Sequence, residues 1–466
     1  MRLRKAVCLM ALLLWVSGFT ACVTYPPGLR AAPEAAWEPF TGSVHNYRFM
    51  HQGRDRAWEE DVIEFARFML FSHPSIRYAT MITVHNLDRN MRHVGRTSLL
   101  EEHVYLRPDG LREEFLYRIN ELIPKIPDMK DYEIVYSLLE INTLLRDTHT
   151  RIVKDYYSYK GWALFNVVFL YFNDGFYSAW FDNDNIVSGR LAAINNVPAS
   201  EIFEIMSSVT PIEPGQTNEQ AIRSRALLLS SRGFLAYAGV LDIADETAEF
   251  TFSDGEGNIF IVTKIIFESS ESNTVLPTLL DESFRFSRHN LRDSLSFSPD
   301  NEFYWYEYLS EYSMMYVRYI WFLEMAHYTF TQFTRDIIDA VNNAGGVERF
   351  VVDLRGNNGG ELPQGFLNLV SWLYDNQELA GSVYVLIDHG TYSAGVTGAA
   401  VLRRSLEHSL LVGEPAGQPP NFLARATAIS RLPNSGLFTT ESQTGILIGA
   451  SQAYIISWPG PLGHQK

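Results

Sequence analysis

Apolar positions recur at three-to-four-residue spacing from Trp58 to about Arg77, where Val62, Ile63, Phe65, Phe68, Met69 and Phe71 mark one side of a helix. The same period predicts helices from Leu111 to Ile123, stopped by Pro124, and from Tyr132 to Leu145. Residues 45–158 therefore read as a helical N-terminal domain. Past Gly161 the texture changes to aromatic and β-branched residues. Val167–Phe172 and Phe176–Phe181 flank Asn173-Asp174-Gly175, which predicts a hairpin. Strands are expected again at Arg190–Ile194, Glu249–Phe252 and Ile259–Ile266, with a short helix over Ala199–Ser207. Residues 160–268 read as a small, mostly β module, and the Ser-, Asp-, Glu- and Arg-rich stretch 269–301 as a linker. From 302 to 466 the pattern becomes strand and helix in turn. Phe350–Leu354, Val383–Ile387 and Leu410–Val412 are short apolar strands, and Leu362–Tyr374 and Ser393–Leu406 are helices. Such alternation predicts an α/β class, with βαβ crossovers and a parallel sheet covered on both faces.

The N-terminus changes the picture of where this fold works. Arg2, Arg4 and Lys5 precede an apolar run, Ala6–Phe19, which ends at Thr20-Ala21-Cys22. The run is shorter than the roughly 20 residues a membrane-crossing helix needs. Residues 1–21 are expected to be a secretory signal of the lipoprotein type, cleaved before a lipidated Cys22. An ordinary signal with an incidental cysteine is the other reading. The chain has only Cys8 and Cys22, so cleavage there leaves no internal disulfide. Residues 22–44, with Pro26, Pro27, Pro33 and Pro39, suit an extended tether. The expected location is a bacterial cell envelope, lipid-anchored and facing the periplasm or the exterior. The 46% hydrophobic and 13% aromatic content excludes disorder as the main state. A formal charge of −16 argues against a nucleic-acid partner, which would need basic patches.

Two segments carry the candidate chemistry. In Asp388-His389-Gly390-Thr391-Tyr392-Ser393-Ala394 a buried strand ends, a glycine turn follows, and Ser393 opens the next helix. A hydroxyl placed there is either a plain N-cap or a nucleophile beside free N–H groups. Asp353-Leu354-Arg355-Gly356-Asn357-Asn358-Gly359-Gly360 also follows a buried strand, and its glycines can turn backbone N–H groups toward a ligand. A flexible loop is the plainer account of it. Sites in parallel sheets gather at the carboxyl ends of strands, so the two segments are expected to face each other. A serine nucleophile needs a base. No Lys occurs between Lys264 and Lys466, which removes a local Ser–Lys pair. Among twelve histidines, His149 in Asp147-Thr148-His149-Thr150 has a hydroxyl and a carboxylate beside it, although a surface histidine at a helix end fits equally. His389 is too close to Ser393 along the turn to serve. No zinc-type cluster or nucleotide loop stands out, so no metal and no cofactor is expected.

At these residues the sequence resembles the tail-specific, or C-terminal processing, serine proteases and the related tricorn-protease core. Asp147-Thr148-His149-Thr150, Asp353–Gly360, Gly390-Thr391-Tyr392-Ser393-Ala394, Gly413-Glu414-Pro415-Ala416-Gly417 and Leu432-Pro433-Asn434-Ser435-Gly436-Leu437 follow the family's segments in order, over about 140–440. The resemblance implies a ClpP/crotonase-like βαβ peptidase domain over 302–466 and a PDZ-like role for 160–268. It implies that Ser393 attacks a peptide carbonyl, that His149 takes its proton, and that Thr148 helps orient the imidazole. It implies an oxyanion site of backbone N–H groups from Gly359 or Gly360 and from Ala394. Tricorn-like relatives complete the relay with a Glu near a Gly-x-x-Pro-Asp; no such segment follows Glu441, so either Glu441 substitutes or the chain is truncated or altered at its end. The expected partner is a protein or peptide substrate of the cell envelope. The second reading is a catalytically inactive peptide- or ligand-binding lipoprotein on the same fold.

Overall fold

The computed structural model describes residues 52–77, 83–86, 110–153, 163–172, 174–182, 185–223, 225–266, 302–406, 408–420, 422–448 and 453–457. The expected signal, Cys22, the tether and the stretch 269–301 lie outside these residues. No described helix is long and apolar enough to cross a membrane.

The N-terminal layer holds helix α1 (Arg54–Ser72), strand β1 (Thr83–Asn86), α2 (Leu111–Leu122) and α3 (Asp131–Thr143). Their apolar stripes meet in one core. Leu111, Phe115, Ile119 and Leu122 of α2, three or four residues apart, pack with Val62, Phe65 and Met69 of α1 and with Ile134, Leu138 and Ile141 of α3. Pro124 and Pro127 turn the chain through a short 3₁₀ segment after α2. Strand β2 (Arg151–Val153) follows α3.

The middle region builds strands β3 (Leu170–Phe172), β4 (Gly175–Asp182), β5 (Asn185–Ile194), β6 (Val197–Pro198), helix α4 (Ala199–Ser208), and strands β7 (Thr247–Ser253) and β8 (Ile259–Ile265). The expected hairpin is present, with Phe172 opposite Gly175. The sheet runs β3-β4-β5-β7-β8, with β6 on β5, and every pair is antiparallel. Tyr136 of α3 reaches this core, where its ring stacks on Tyr237 at 5.2 Å. The middle sheet is thereby seated on the helical layer.

Beyond residue 302 come β9 (Tyr304–Leu309), β10 (Met314–Tyr319), α5 (Phe330–Asn343), β11 (Arg349–Asp353), α6 (Gln364–Asp375), β12 (Ser382–Ile387), α7 (Ala394–Ser405) and β13 (Leu410–Gly413). The sheet order is β13-β12-β11-β10-β9; β10 to β13 are parallel and β9 is an antiparallel edge. Helix α5 buries Phe330, Phe333, Ile337 and Val341, and its start is closed by a reciprocal cap between Thr329 and Gln332. The parallel strands present their carboxyl ends together, which places the loops after β11 and β12 side by side.

The expected block 302–466 divides in the structure. Strands β14 (Phe422–Arg431), β15 (Phe438–Ile448) and β16 (Ala453–Ser457) leave the parallel sheet and form another with β1 and β2, in the order β1-β16-β15-β14 with β2 on β15. The physical reason lies in the turn between β14 and β15. Leu432 and Leu437 are buried in the core of α1, α2 and α3. Buried Asp61 of α1 accepts N–H bonds from Asn434 at 2.8 Å and Ser435 at 2.6 Å. The Leu-Pro-Asn-Ser-Gly-Leu segment therefore clips the end of the chain to its beginning.

Candidate active site

The loops after β11 and β12 are stitched together before any catalytic group is considered. Asp388 accepts N–H bonds from Gly390 at 2.9 Å and from Gly356, across the gap, at 2.7 Å. Thr391 donates its hydroxyl to the Leu354 carbonyl, and the Tyr392 N–H donates to the Asn357 carbonyl, both at 2.8 Å. A Cβ on Gly390 would sit 2.8 Å from the Gly356 Cα, so only glycine allows this approach.

Ser393 follows with φ 52° and ψ −121°, a left-handed conformation that a side chain adopts only under constraint. It occupies the N-cap position of α7, yet its side chain makes no cap hydrogen bond. Its Oγ lies instead 3.2 Å from His149 Nε2. The hydroxyl is thus aimed at an imidazole and not at the helix cap. The residue is 6% exposed. Its N–H donates to Gln418 Oε1 at 2.9 Å, which fixes the turn from the other side.

His149 comes from the segment between α3 and β2. Asp147 folds that segment on itself by accepting the His149 N–H at 2.9 Å and the Thr150 hydroxyl. Thr440 of β15 donates to the His149 carbonyl at 3.0 Å. The ring is buried between Tyr392 and Phe422, with centroids at 5.1 and 5.6 Å. Its Nδ1 lies 3.4 Å from the Tyr392 hydroxyl, 3.4 Å from Gln418 Nε2 and 4.0 Å from Asp147 Oδ1. Asp147 is fully buried, which alone would raise its pKa. The His73 hydrogen bond at 3.3 Å, the electrostatic pull of the His73 and His149 rings and the Thr150 hydroxyl outweigh burial and hold it below the usual carboxylate range. The Ser75 N–H donates to His73 Nδ1, so His73 carries its proton on Nε2, facing Asp147.

Sequence reading missed two members of the site. Glu213, from the loop after α4, is buried against Thr148, whose N–H and hydroxyl both donate to Oε1. Gln418 donates to the same oxygen at 2.6 Å. Burial first, and then the nearby Asp147 charge, push the Glu213 carboxyl up to about 8. Gln418 stands one residue beyond the Gly413–Gly417 motif, and that adjacency was the one local signal available for it. The turn residues around Glu213, Pro211-Ile212-Glu213-Pro214-Gly215, say nothing about what the loop reaches.

Among the expected oxyanion groups, the Gly359 N–H is the one with a partner inside the loop. The Gly359 N–H donates to Asn357 Oδ1 at 2.9 Å, so it is already engaged. What Gly359 supplies is space: a Cβ there would stand 2.6 Å from Ser393 Cβ and 3.2 Å from the Ala394 nitrogen. Gly360 packs on the Phe322 carbonyl. The Ala394 N–H heads α7, where the first N–H groups of a helix have no intrahelical acceptor. Glu441 lies in β15 opposite Ala428, and its side chain is outside the described residues. His389 pairs with Glu414 at 3.2 Å, away from Ser393.

Among the described residues, Asp147, His149 and Glu213 form a group that could hold a metal ion, with ligand atoms within 4.8 Å of one another. Both Asp147 oxygens and Glu213 Oε1 already accept the hydrogen bonds above, and the set reads as a hydrogen-bonded network.

No family model and no curated protein matches the sequence. Among solved structures the chain is similar to mature CPAF, a serine protease. The complex of mature CPAF with lactacystin superimposes with a TM-score of 0.50 at 10% identity, covering 86% of this chain and 91% of that one. A second crystal structure of mature CPAF gives a TM-score of 0.50 at 11% identity, over 86% and 90%. The tricorn protease aligns with a TM-score of 0.31 at 11% identity, over 84% of this chain and 32% of that one. The fold is thus a mixed α/β one, shared with a known serine protease.

Proposed function

We propose that this chain is a serine peptidase in which Ser393 is the nucleophile and His149 the general base. The observation that carries the reading is a serine with positive φ whose hydroxyl forgoes the helix cap and points at a buried imidazole. As Ser393 Oγ bonds to the carbonyl carbon of a peptide, its proton passes to His149 Nε2. The carbonyl oxygen takes the negative charge and meets the Ala394 N–H and the positive end of α7. His149 then protonates the leaving amine, and a water deprotonated by the same nitrogen releases the acyl group from Ser393. The fold shared with CPAF supports the reading at the level of fold alone.

The test is a fluorophosphonate probe on the purified mature chain. Wild type is expected to label. Ser393→Ala should lose labelling entirely, and His149→Ala should slow it by about 10²–10⁴-fold, the usual range for a general base. Absence of Ser393-dependent labelling, with no peptide cleavage, would leave the non-catalytic binding reading in its place.

The same proposal puts the enzyme on a membrane through Cys22, on the strength of the basic, apolar and small-residue order before it. Cys22→Ser is expected to move the protein from the membrane to the soluble fraction. Continued membrane retention of that variant would contradict the anchor.

A further inference from the structure

A serine–imidazole pair needs an acceptor behind the imidazole. For His149 Nε2 to take the Ser393 proton, Nε2 must start without one, so the neutral ring carries its proton on Nδ1. Gln418 is next to Nδ1 but cannot accept from it. Its Oε1 is held by the Ser393 N–H, which leaves its NH₂ group facing the ring and Glu213. Asp147 Oδ1 is 4.0 Å away, beyond hydrogen-bond reach, and already accepts the His149 N–H.

The Tyr392 hydroxyl is different. It lies 3.4 Å from Nδ1 and can accept. It also hydrogen-bonds the Thr148 hydroxyl, and Thr148 in turn donates to Glu213 Oε1. The protons can all point one way: Nδ1–H to Tyr392, Tyr392 O–H to Thr148, Thr148 O–H to the carboxyl group.

We infer that Glu213, delivered from the loop after α4, is the carboxylate of this active site and that it positions His149 through Thr148 and Tyr392. The inference rests on the peptidase reading above and gives a carboxylate to a relay that lacked one. No proton has to leave Nδ1. As Nε2 gains the serine proton, the positive charge on the ring is met by two hydroxyl dipoles aligned by the carboxyl group. Tyr392 does double duty, since its ring also stacks on His149.

The loop that carries Glu213 is tied to the catalytic side. Gln216 closes it by accepting the Glu213 N–H at 3.2 Å and reaches the Gly417 carbonyl at 2.8 Å. Arg146 holds the Ile212 carbonyl at 3.3 Å. The middle module thereby completes a site whose nucleophile and base come from the other two regions.

The titratable groups facing Glu213 are Asp147 and His149 on the 147–150 segment and Tyr392 on the nucleophile turn. Arg151 is bound to the Thr148 carbonyl and Arg146 to the Ile212 carbonyl beside Glu213, and His73 stands behind Asp147. With a pKa of about 8, the carboxyl group is neutral below that pH and ionised above it. The relay should strengthen as the proton leaves.

The experiment measures the fluorophosphonate labelling rate of the mature chain against pH for wild type, Glu213→Gln, Tyr392→Phe and the double variant. Each single change is expected to lower the rate by about ten- to a hundredfold, the usual effect of losing an outer partner of a catalytic group. Members of one chain are not independent, so the double variant should be no slower than the slower single. The wild-type rate should keep rising through about pH 8, and Glu213→Gln should lose that limb. Tyr392→Phe removes one oxygen and keeps the ring, so it carries the test if Glu213→Gln folds poorly. Wild-type rates with an unchanged pH profile in Glu213→Gln would overturn the inference, as would losses that multiply in the double variant. A wild type that fails to label through Ser393 would instead remove the peptidase reading, and the inference with it.

Discussion

Gly359→Ala is expected to leave a folded protein that labels with fluorophosphonate at least about 10²-fold more slowly than wild type, the scale of a 1 Å misplacement of a reacting group. The added methyl would stand 2.6 Å from Ser393 Cβ and 3.1 Å from its Oγ, closer than carbon atoms approach without something moving. Gly359 also has φ 105°, a region that L side chains rarely adopt. The neighbour that must give way is Ser393, and it has little freedom. Its own φ is positive, its N–H is held by Gln418, and the preceding Tyr392 N–H is held by Asn357. The methyl group therefore either pushes the hydroxyl off His149 or turns the Gly359 peptide out of the loop. Strain and overpacking each cost about 1–3 kcal/mol, so melting should shift downward too. A second glycine serves as the control for the glycine-to-alanine change itself. Gly255, in the β7–β8 turn with nothing within 4 Å of its would-be Cβ, should accept alanine with no change in labelling. Equal labelling of Gly359→Ala and wild type would mean that this wall does not shape the site.

Much of this arrangement is legible from local pattern, and the illegible part has a physical cause. Helices α1, α2 and α3, the β3–β4 hairpin and the alternation from β11 to β13 follow from period, turn residues and proline placement. So does the meeting of the two glycine-bearing loops, because parallel strands present their carboxyl ends together. The alternation read from Phe350 onward passes over β9, β10 and α5, although Phe330, Phe333, Ile337 and Val341 form a helical stripe as regular as any other. The sheet of β1, β2, β14, β15 and β16 is a different matter. Its strands come from both ends of the chain, and pairing across such a span leaves no mark in either segment. Glu213 belongs to the same class. It meets Thr148 at a separation of 65 residues and Gln418 at 205, and nothing near it in sequence marks either meeting. The order of the motifs points along the chain to Glu441, whereas the middle module brings Glu213 in from the side.

Asp353→Asn is expected to cost about 3–5 kcal/mol of stability, the range for removing one partner of a buried ion pair. Asp353 is 0% exposed at the carboxyl end of β11. It accepts from Arg318, from Arg355 Nη2 at 2.7 Å and from the Tyr316 hydroxyl at 2.7 Å. The amide keeps the shape but removes the charge, and the mostly buried Arg318 guanidinium, whose Nε already lacks a partner, stays behind uncompensated. The pH dependence gives a sharper test than the magnitude. Burial alone would raise Asp353, but Arg355, Arg318 and Tyr316 together hold it below the usual range. A carboxyl group whose folded pKa lies below its unfolded one stabilises the fold above the ordinary carboxylate range. That contribution is lost as pH falls through the folded value. Asp353→Asn should therefore flatten the acid limb of a melting-temperature profile. Glu213 has the opposite sign: its carboxyl group is raised to about 8, so its contribution is full below about 4.5 and lost as pH climbs to 8. Glu213→Gln should leave the acid limb alone and raise the melting temperature, relative to wild type, at alkaline pH. The two buried acids thus answer different needs. Asp353 is ionised to brace the strand behind the Gly359 loop, at a gain in stability. Glu213 is buried against its own charge, at a loss, which is the pattern of a group kept for what it does to its neighbours. A Glu213→Gln protein no more stable than wild type at pH 9 would show that its carboxyl group is solvated, and would contradict the buried network behind His149.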